Sequence, residues 1–171
     1  MLDLVRTLRF PEAVTVADAA LRLGADRDVL LARVPPGRGS RMAERCLAFA
    51  DAASESAGES ESRALLALAG IPVPELQVPL YDATGSFIGR PDFLWRAKKV
   101  VGEYDGEGKY EGQFGVSPAE AFRREKDREA ALEREDYLVV RWDKTVLRQT
   151  GELERRVRRA LASRPWPLAT E

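Results

Sequence analysis

Histidine is absent from the 171 residues. That absence excludes a Ser-His-Asp triad, a Cys-His dyad, His-ligated zinc and haem bound through histidine. Cysteine occurs once, as Cys46, so no internal disulfide forms, in keeping with a reducing compartment. In the helical-looking stretch RMAERCLAFA it reads as a small buried hydrophobe. No apolar run approaches the roughly 18 residues of a membrane span, and charges interrupt MLDLVRTLRFPEA, unlike a secretory signal. The expected location is the cytoplasm. An excess of positive charge is missing too: the net charge is −1, unlike the basic balance of a typical nucleic-acid-binding domain. Local charge decides binding, however, and 22 of the 27 basic residues are arginine, the side chain best matched to phosphate. A GC-rich genome gives the same bias.

What remains for chemistry is carboxylate, lysine, tyrosine or a hard metal ion. The length suits one domain with a core and a helical extension. Residues 1–53 read as helical. Val16, Ala19, Ala20 and Leu23 keep a helical spacing that Gly24 stops. DRDVLLARV follows, started by Asp26 and ended before Pro35-Pro36, and then SRMAERCLAFADAA with Ser40 as N-cap. Residues 54–62, SESAGESES, resemble a linker entering a helix through SRALLALAG, closed by Gly70. ELQVPLYD alternates, with Leu76, Val78 and Leu80 on one face, and turns at ATGS into FIGRPDFLW, which Pro91 makes irregular. KKVVGEYDG is a third strand, in an antiparallel meander with the others. After the Gly-rich GEGKYEGQFG, Ser117-Pro118-Ala119-Glu120 opens a helix running to about Arg134. DYLVVRWD is a fourth strand, and Leu153, Val157 and Leu161 mark a last amphipathic helix. Residues 165–171 form a tail. The expected class is α/β, a central mixed sheet of about four strands flanked by helices, with an N-terminal helical extension.

One constellation suggests chemistry. Glu103 and Asp105, at i and i+2 of a strand, project to one face, and Asp92 lies on the strand before. Three converging carboxylates repel unless a cation sits among them, and oxygen-only ligands select Mg²⁺, Mn²⁺ or Ca²⁺. Solvated acids at strand ends leave the same trace. Gly102 and Gly106 either admit a phosphate or end the strand. Phe122, Lys126 and Ala130 share a helix face expected to dock on the sheet. There Lys126 either snorkels outward or assists an attacking water. Glu59 either suits its helix dipole or reaches the metal from the helical side. Lys109 and Tyr110 are candidates for phosphate contact and base stacking. Arg123, Arg124 and Arg128 on one helix, and Arg155, Arg156, Arg158 and Arg159 on another, fit a solvated face or a nucleic-acid contact.

GRPDFLW, VVGEYDGEGKY, REKDREAALE and YLVVRW, in that order, resemble the very-short-patch-repair-endonuclease-like domains of the PD-(D/E)XK nuclease superfamily. Such domains end bacterial proteins that carry an AbiEi-type antitoxin domain in front. GESESR before ALLALAGIPVPELQ fits the same group, and LDLVRTLRFPEAVTVADAALRLG is similar to the helical link in those longer proteins, whose front winged-helix region has no counterpart here. The resemblance covers roughly residues 54–160 and implies a restriction-endonuclease-like domain over 54–164. It also implies Mg²⁺-dependent hydrolysis of DNA, with Mn²⁺ as substitute. Asp92 and Glu103 fall at the superfamily's two acids and, with Asp105, would hold the metal. Asp105 stands where the superfamily has its lysine, and Lys126 would replace that amine from the helix. Glu59 would complete the catalytic set, and Lys109, Tyr110, Arg124 and Arg128 would bind substrate. The lost lysine, the missing histidine and the charge balance equally fit a non-catalytic nucleic-acid-binding or toxin-antitoxin-type regulatory module. A third reading is an adaptor that docks a protein partner through residues 1–53.

Overall fold

The structure, a computed structural model, describes residues 1–106 and 117–165. It divides into two compact units, Met1–Val73 and Pro74–Glu171.

The first unit is helical: α1 (Leu2–Val5), α2 (Phe10–Arg22), α3 (Arg27–Ala32), α4 (Ser40–Phe49) and α5 (Ala57–Leu68). Asp26 caps α3 as expected, accepting from the Val29 amide at 3.0 Å. Ser40 does not cap α4. Gly39, at φ +83°, takes that position, because the Arg6 carbonyl oxygen stands 2.4 Å from where a Cβ would be. The Ser40 hydroxyl instead donates to the Pro35 and Gly37 carbonyls. The buried face of α2 also differs from the expected stripe. Phe10, Ala13, Val14 and Ala17 form it, and Leu23 is 88% exposed. The expected stripe missed by one helical step, because the alanines made several faces equally plausible. Val5, Phe10, Ala13, Val14, Ala43, Cys46 and Ala64 make one core, so Cys46 is the buried small residue its surroundings suggested.

The polar run 54–62 is no loose linker. Ser56 caps α5 by accepting from the Glu59 amide at 3.2 Å. The preceding loop is held by arginines: Arg63 donates to the Phe49 carbonyl at 2.7 Å, Arg27 to that of Ala50 at 2.5 Å, and Arg22 to that of Ser54. By packing, α5 therefore belongs with the helices before it, and the division falls after Val73 rather than after residue 53.

The second unit is α/β. Its strands are β1 (Glu75–Leu76), β2 (Leu80–Tyr81), β3 (Phe87–Gly89), β4 (Phe93–Trp95), β5 (Val100–Asp105) and β6 (Leu138–Asp143). Its helices are α6 (Pro118–Arg134), α7 (Lys144–Leu147) and α8 (Glu152–Ala162). The sheet order is β1-β4-β5-β6, antiparallel except for the parallel pair β5–β6, while β2 and β3 form a separate hairpin. The two long alternating strands of the sequence reading are thus each broken in two, at Gln77, whose φ is +52°, and around Pro91. A parallel pair requires a crossover, and α6 supplies it, started by Ser117 accepting from the Glu120 amide at 3.2 Å.

Strand alternation gives β5 two faces. Val101 packs with Leu94, Ile88, Leu80 and Leu132 of α6. On the other face, Gly102 makes room for Trp142, whose Cη2 lies 2.6 Å from the position of a Cβ, and the indole stacks obliquely on Phe93 at 5.2 Å. Gly102 therefore serves core packing, where the sequence reading allowed a phosphate approach.

Candidate functional site

Glu103 lies two residues before the end of β5, opposite Arg141 of β6 in the parallel register. It is 6% exposed. By alternation its side chain shares the Val101 face, toward α6. There it meets two guanidinium groups. Arg128 binds it end to end, Nη1 to Oε1 at 2.5 Å and Nη2 to Oε2 at 2.9 Å. Arg141 Nε donates to Oε2 at 3.0 Å.

The arginines are themselves held. Glu125 accepts from Arg128 Nε at 2.9 Å and Nη2 at 2.7 Å, and also from Arg141 Nη2. Glu129 accepts from Arg141 Nη1, and from Lys126 at 2.5 Å. Three carboxylates thus face two guanidinium groups, with Lys126 at the rim. Burial pushes the Glu103 carboxyl upward, but the hydrogen bonds and charges of Arg128 and Arg141 outweigh it and hold the carboxyl below the usual range. The Glu103 and Glu125 hydrogen bonds raise Arg128 further above its ordinary value. Lys126 and then Arg141 pull Glu129 down to about 2.

Asp92 stands just before β4. Carrying the register on from Phe93↔Gly102 sets it beside Glu103. Its carboxylate is engaged by backbone and amide donors: Oδ2 accepts from the Tyr104 amide at 2.8 Å and Oδ1 from Gln77 Nε2 at 3.2 Å. Asp105 pairs in register with Asp143, whose own carboxylate caps α7 through the Val146 amide at 3.1 Å.

The other expected residues lie elsewhere. The Phe122–Lys126–Ala130 stripe of α6 is its solvent face: Phe122 is 66% exposed and the Lys126 side chain 58%. The docked stripe is Glu125, Arg128, Glu129 and Leu132, at i, i+3, i+4 and i+7. That spacing is visible in the sequence but was obscured because three of its four members are charged. Arg124 forms an exposed pair with Glu120 at 2.6 Å. Arg128, assigned to substrate, is the principal partner of Glu103. Glu59 belongs to the first unit, where its Oε2 accepts from the Glu55 amide at 2.8 Å, completing the α5 cap. Lys109 and Tyr110 lie outside the described residues. Arg141, Glu125 and Glu129 were missed altogether.

Two of the acids expected to hold a divalent cation are engaged by other donors. Both oxygens of Glu103 accept from guanidinium groups, both oxygens of Asp92 accept from N–H groups, and among the described residues no three acidic, histidine or cysteine side chains converge as a metal-holding group. Arg128 and Arg141 neutralise Glu103 by charge-assisted hydrogen bonds.

Fold and site together define an α/β protein whose mixed four-stranded sheet carries an arginine-clamped acid under its crossover helix. The chain is 35% identical over 164 residues to Uncharacterized protein MT2308 of Mycobacterium tuberculosis (strain CDC 1551 / Oshkosh). It matches Uncharacterized protein Rv2248 of Mycobacterium tuberculosis (strain ATCC 25618 / H37Rv) to the same extent. The matched part is 93% of this chain and 58% of each relative, so the chain spans little more than half of their length. No family profile and no solved structure matches it. No helix among the described residues is long and apolar enough to cross a membrane.

Proposed function

We propose that the chain is a non-hydrolytic nucleic-acid-binding module, built on a nuclease-like α/β framework and acting in the cytoplasm. The observation that carries this reading is the clamp on Glu103. Glu103, the acid expected to coordinate Mg²⁺, gives three of its roughly four acceptor sites to guanidinium groups, and two arginines already balance its charge. Lys126, the amine that would assist a water, instead pairs with Glu129 on the solvent side. Asp105 in place of the superfamily's lysine fits the same reading, and the resemblance supplies DNA as the expected partner.

The test uses plasmid DNA with Mg²⁺ or Mn²⁺, on the chain as it stands and on Asp92→Ala. The expected result is retarded but intact plasmid with both proteins. Cutting that disappears in Asp92→Ala restores the metal-dependent endonuclease reading instead. Absence of any DNA binding overturns the proposal outright.

A further inference from the structure

We propose that the exposed arginine face of α8 is the surface that receives nucleic-acid phosphates. This inference rests on the nucleic-acid-binding reading above and names where binding takes place. The segment from Lys144 to Arg164 holds seven basic and two acidic residues, a local excess of five positive charges in a chain whose net charge is −1. The helix sorts them by face. Leu153, Val157 and Ala160 are buried, and α8 packs on β6. Arg155, Arg156, Arg158 and Arg159 are all exposed.

The two acids stand in the first turn, where they suit the helix dipole. Glu152 ties Arg155 and, at 2.6 Å, Arg156. Beyond that turn every charged residue of the helix is an arginine. At its far end Arg164, counted above, is paired with Asp136 at 2.7 Å, and Lys98 donates to the Arg164 carbonyl at 2.7 Å.

The chemistry selects a phosphate backbone. Arg155 to Arg159 rise about 6 Å along the axis, and one DNA strand presents a phosphate about every 3.4 Å of its own axis. A planar guanidinium binds phosphate through two parallel N–H bonds. A membrane surface is a poorer fit, because the apolar side of α8 is already buried against its own protein and leaves nothing to insert among acyl chains.

The test is fluorescence anisotropy of a short labelled DNA duplex against the full chain over a series of salt concentrations. Arg158→Gln/Arg159→Gln leaves the Glu152 pairs in place, and circular dichroism checks that the variant keeps its helical content. This variant is expected to lose roughly tenfold in affinity and about two in the slope of log affinity on log salt, one per phosphate contact removed. Arg33→Gln/Arg41→Gln, with the same change in charge far along the sequence, is expected to keep the slope. If the unaltered chain binds duplex and the α8 variant binds equally well with the same slope, the α8 surface is wrong while the nucleic-acid reading stands. If the unaltered chain binds no duplex, that reading itself fails. If both double variants lose affinity alike, attraction is by overall charge and the α8 assignment is overturned. Stronger attachment to phosphatidylserine vesicles than to duplex also overturns it.

Discussion

Glu103 and Arg128 face one another end to end, with two parallel hydrogen bonds of 2.5 and 2.9 Å joining β5 to its own crossover helix. The pair does more than neutralise a buried acid. It fixes the rotation of α6 about its axis, because the apolar member of the docked stripe, Leu132, lies one turn further on and is 1% exposed. Removing one partner of a buried ion pair leaves the other charge without compensation. Arg128→Ala is therefore expected to cost about 3 kcal/mol in urea unfolding, the single Arg141 bond being too little to replace the fork. Lys126→Ala, one exposed pair away, is expected to stay within about 0.5 kcal/mol. Equal effects of the two would refute the assignment of Arg128 to the core and Lys126 to the surface.

The same network predicts acid sensitivity with a definite sign. Glu103 and Glu129 have folded-state values below their ordinary 4.5. In the window below that value the unfolded chain binds more protons, so stability rises with pH there. The contribution is complete above about 4.5 and is lost as pH falls, for Glu129 down to about 2. Unfolding measured across that window is expected to steepen with acid in the unaltered chain and to flatten in Glu103→Gln. An unchanged slope in the variant would show that Glu103 is not held ionised by its arginines.

Gly102 offers a test of the opposite face. A methyl there meets the Trp142 ring at 2.6 and 2.9 Å and the Phe93 Cβ at 3.2 Å. None of these is the end of a flexible chain, so a strand or the indole has to move. Overpacking of this kind costs about 1–3 kcal/mol. Gly102→Ala is expected to lower the midpoint of thermal unfolding and to shift tryptophan fluorescence. Gly102→Ala combined with Trp142→Phe, which withdraws the clashing atoms, is expected to lose less than the two changes summed. Strict additivity would contradict contact between Gly102 and the Trp142 ring.

Much of this architecture was legible in the sequence, and the part that was not has a physical cause. Ser117, Pro118 and Glu120 announced the start of α6 because capping is local chemistry. Gly70 and Gly85 announced turns, both at positive φ. The parallel return of β6 was implicit in a long helix between two strands. The partner of Glu103 was not legible, because Arg128 and Arg141 lie far from it along the chain and a charged stripe on α6 reads as solvent-facing until the sheet beneath it is seen to be charged as well. Asp92 and Glu103 were located as neighbours by strand spacing alone. What spacing did not disclose was that Glu103 accepts from two arginines and Asp92 from the Tyr104 amide and the Gln77 side chain.

Cys46 gives a readout for the helical unit. The side chain is fully buried, and burial pushes its thiol up to about 11. Since the thiolate is the reactive form, a thiol reagent at neutral pH is expected to leave the folded chain unlabelled. Labelling is expected to appear with denaturant in step with the loss of helical signal. Rapid labelling without denaturant would place Cys46 at a surface.

Asp18 and Arg63 form the most deeply buried ion pair of that unit, at 0% and 3% exposure. Arg63 Nη2 donates to both Asp18 oxygens, at 2.8 and 2.9 Å, and Asp18 Oδ1 also accepts from the Asp51 amide at 2.8 Å. The guanidinium stacks over the Phe49 ring at 4.2 Å and has already donated to the Phe49 carbonyl, so it joins α2, α5 and the loop after α4 at one point. Arg63→Met keeps the packing volume but strands a carboxylate with no exposure, a loss of about 4 kcal/mol. Replacing both, as Asp18→Asn/Arg63→Met, removes the stranded charge while the Asn carbonyl still accepts from Asp51, so the double variant is expected to recover at least half of that loss. The thermodynamic cycle over the four proteins measures the coupling. A double variant as unstable as the two single changes added together would mean that the two charges do not depend on each other, and the junction would then have to be held by the Phe49 stack and the loop carbonyls alone.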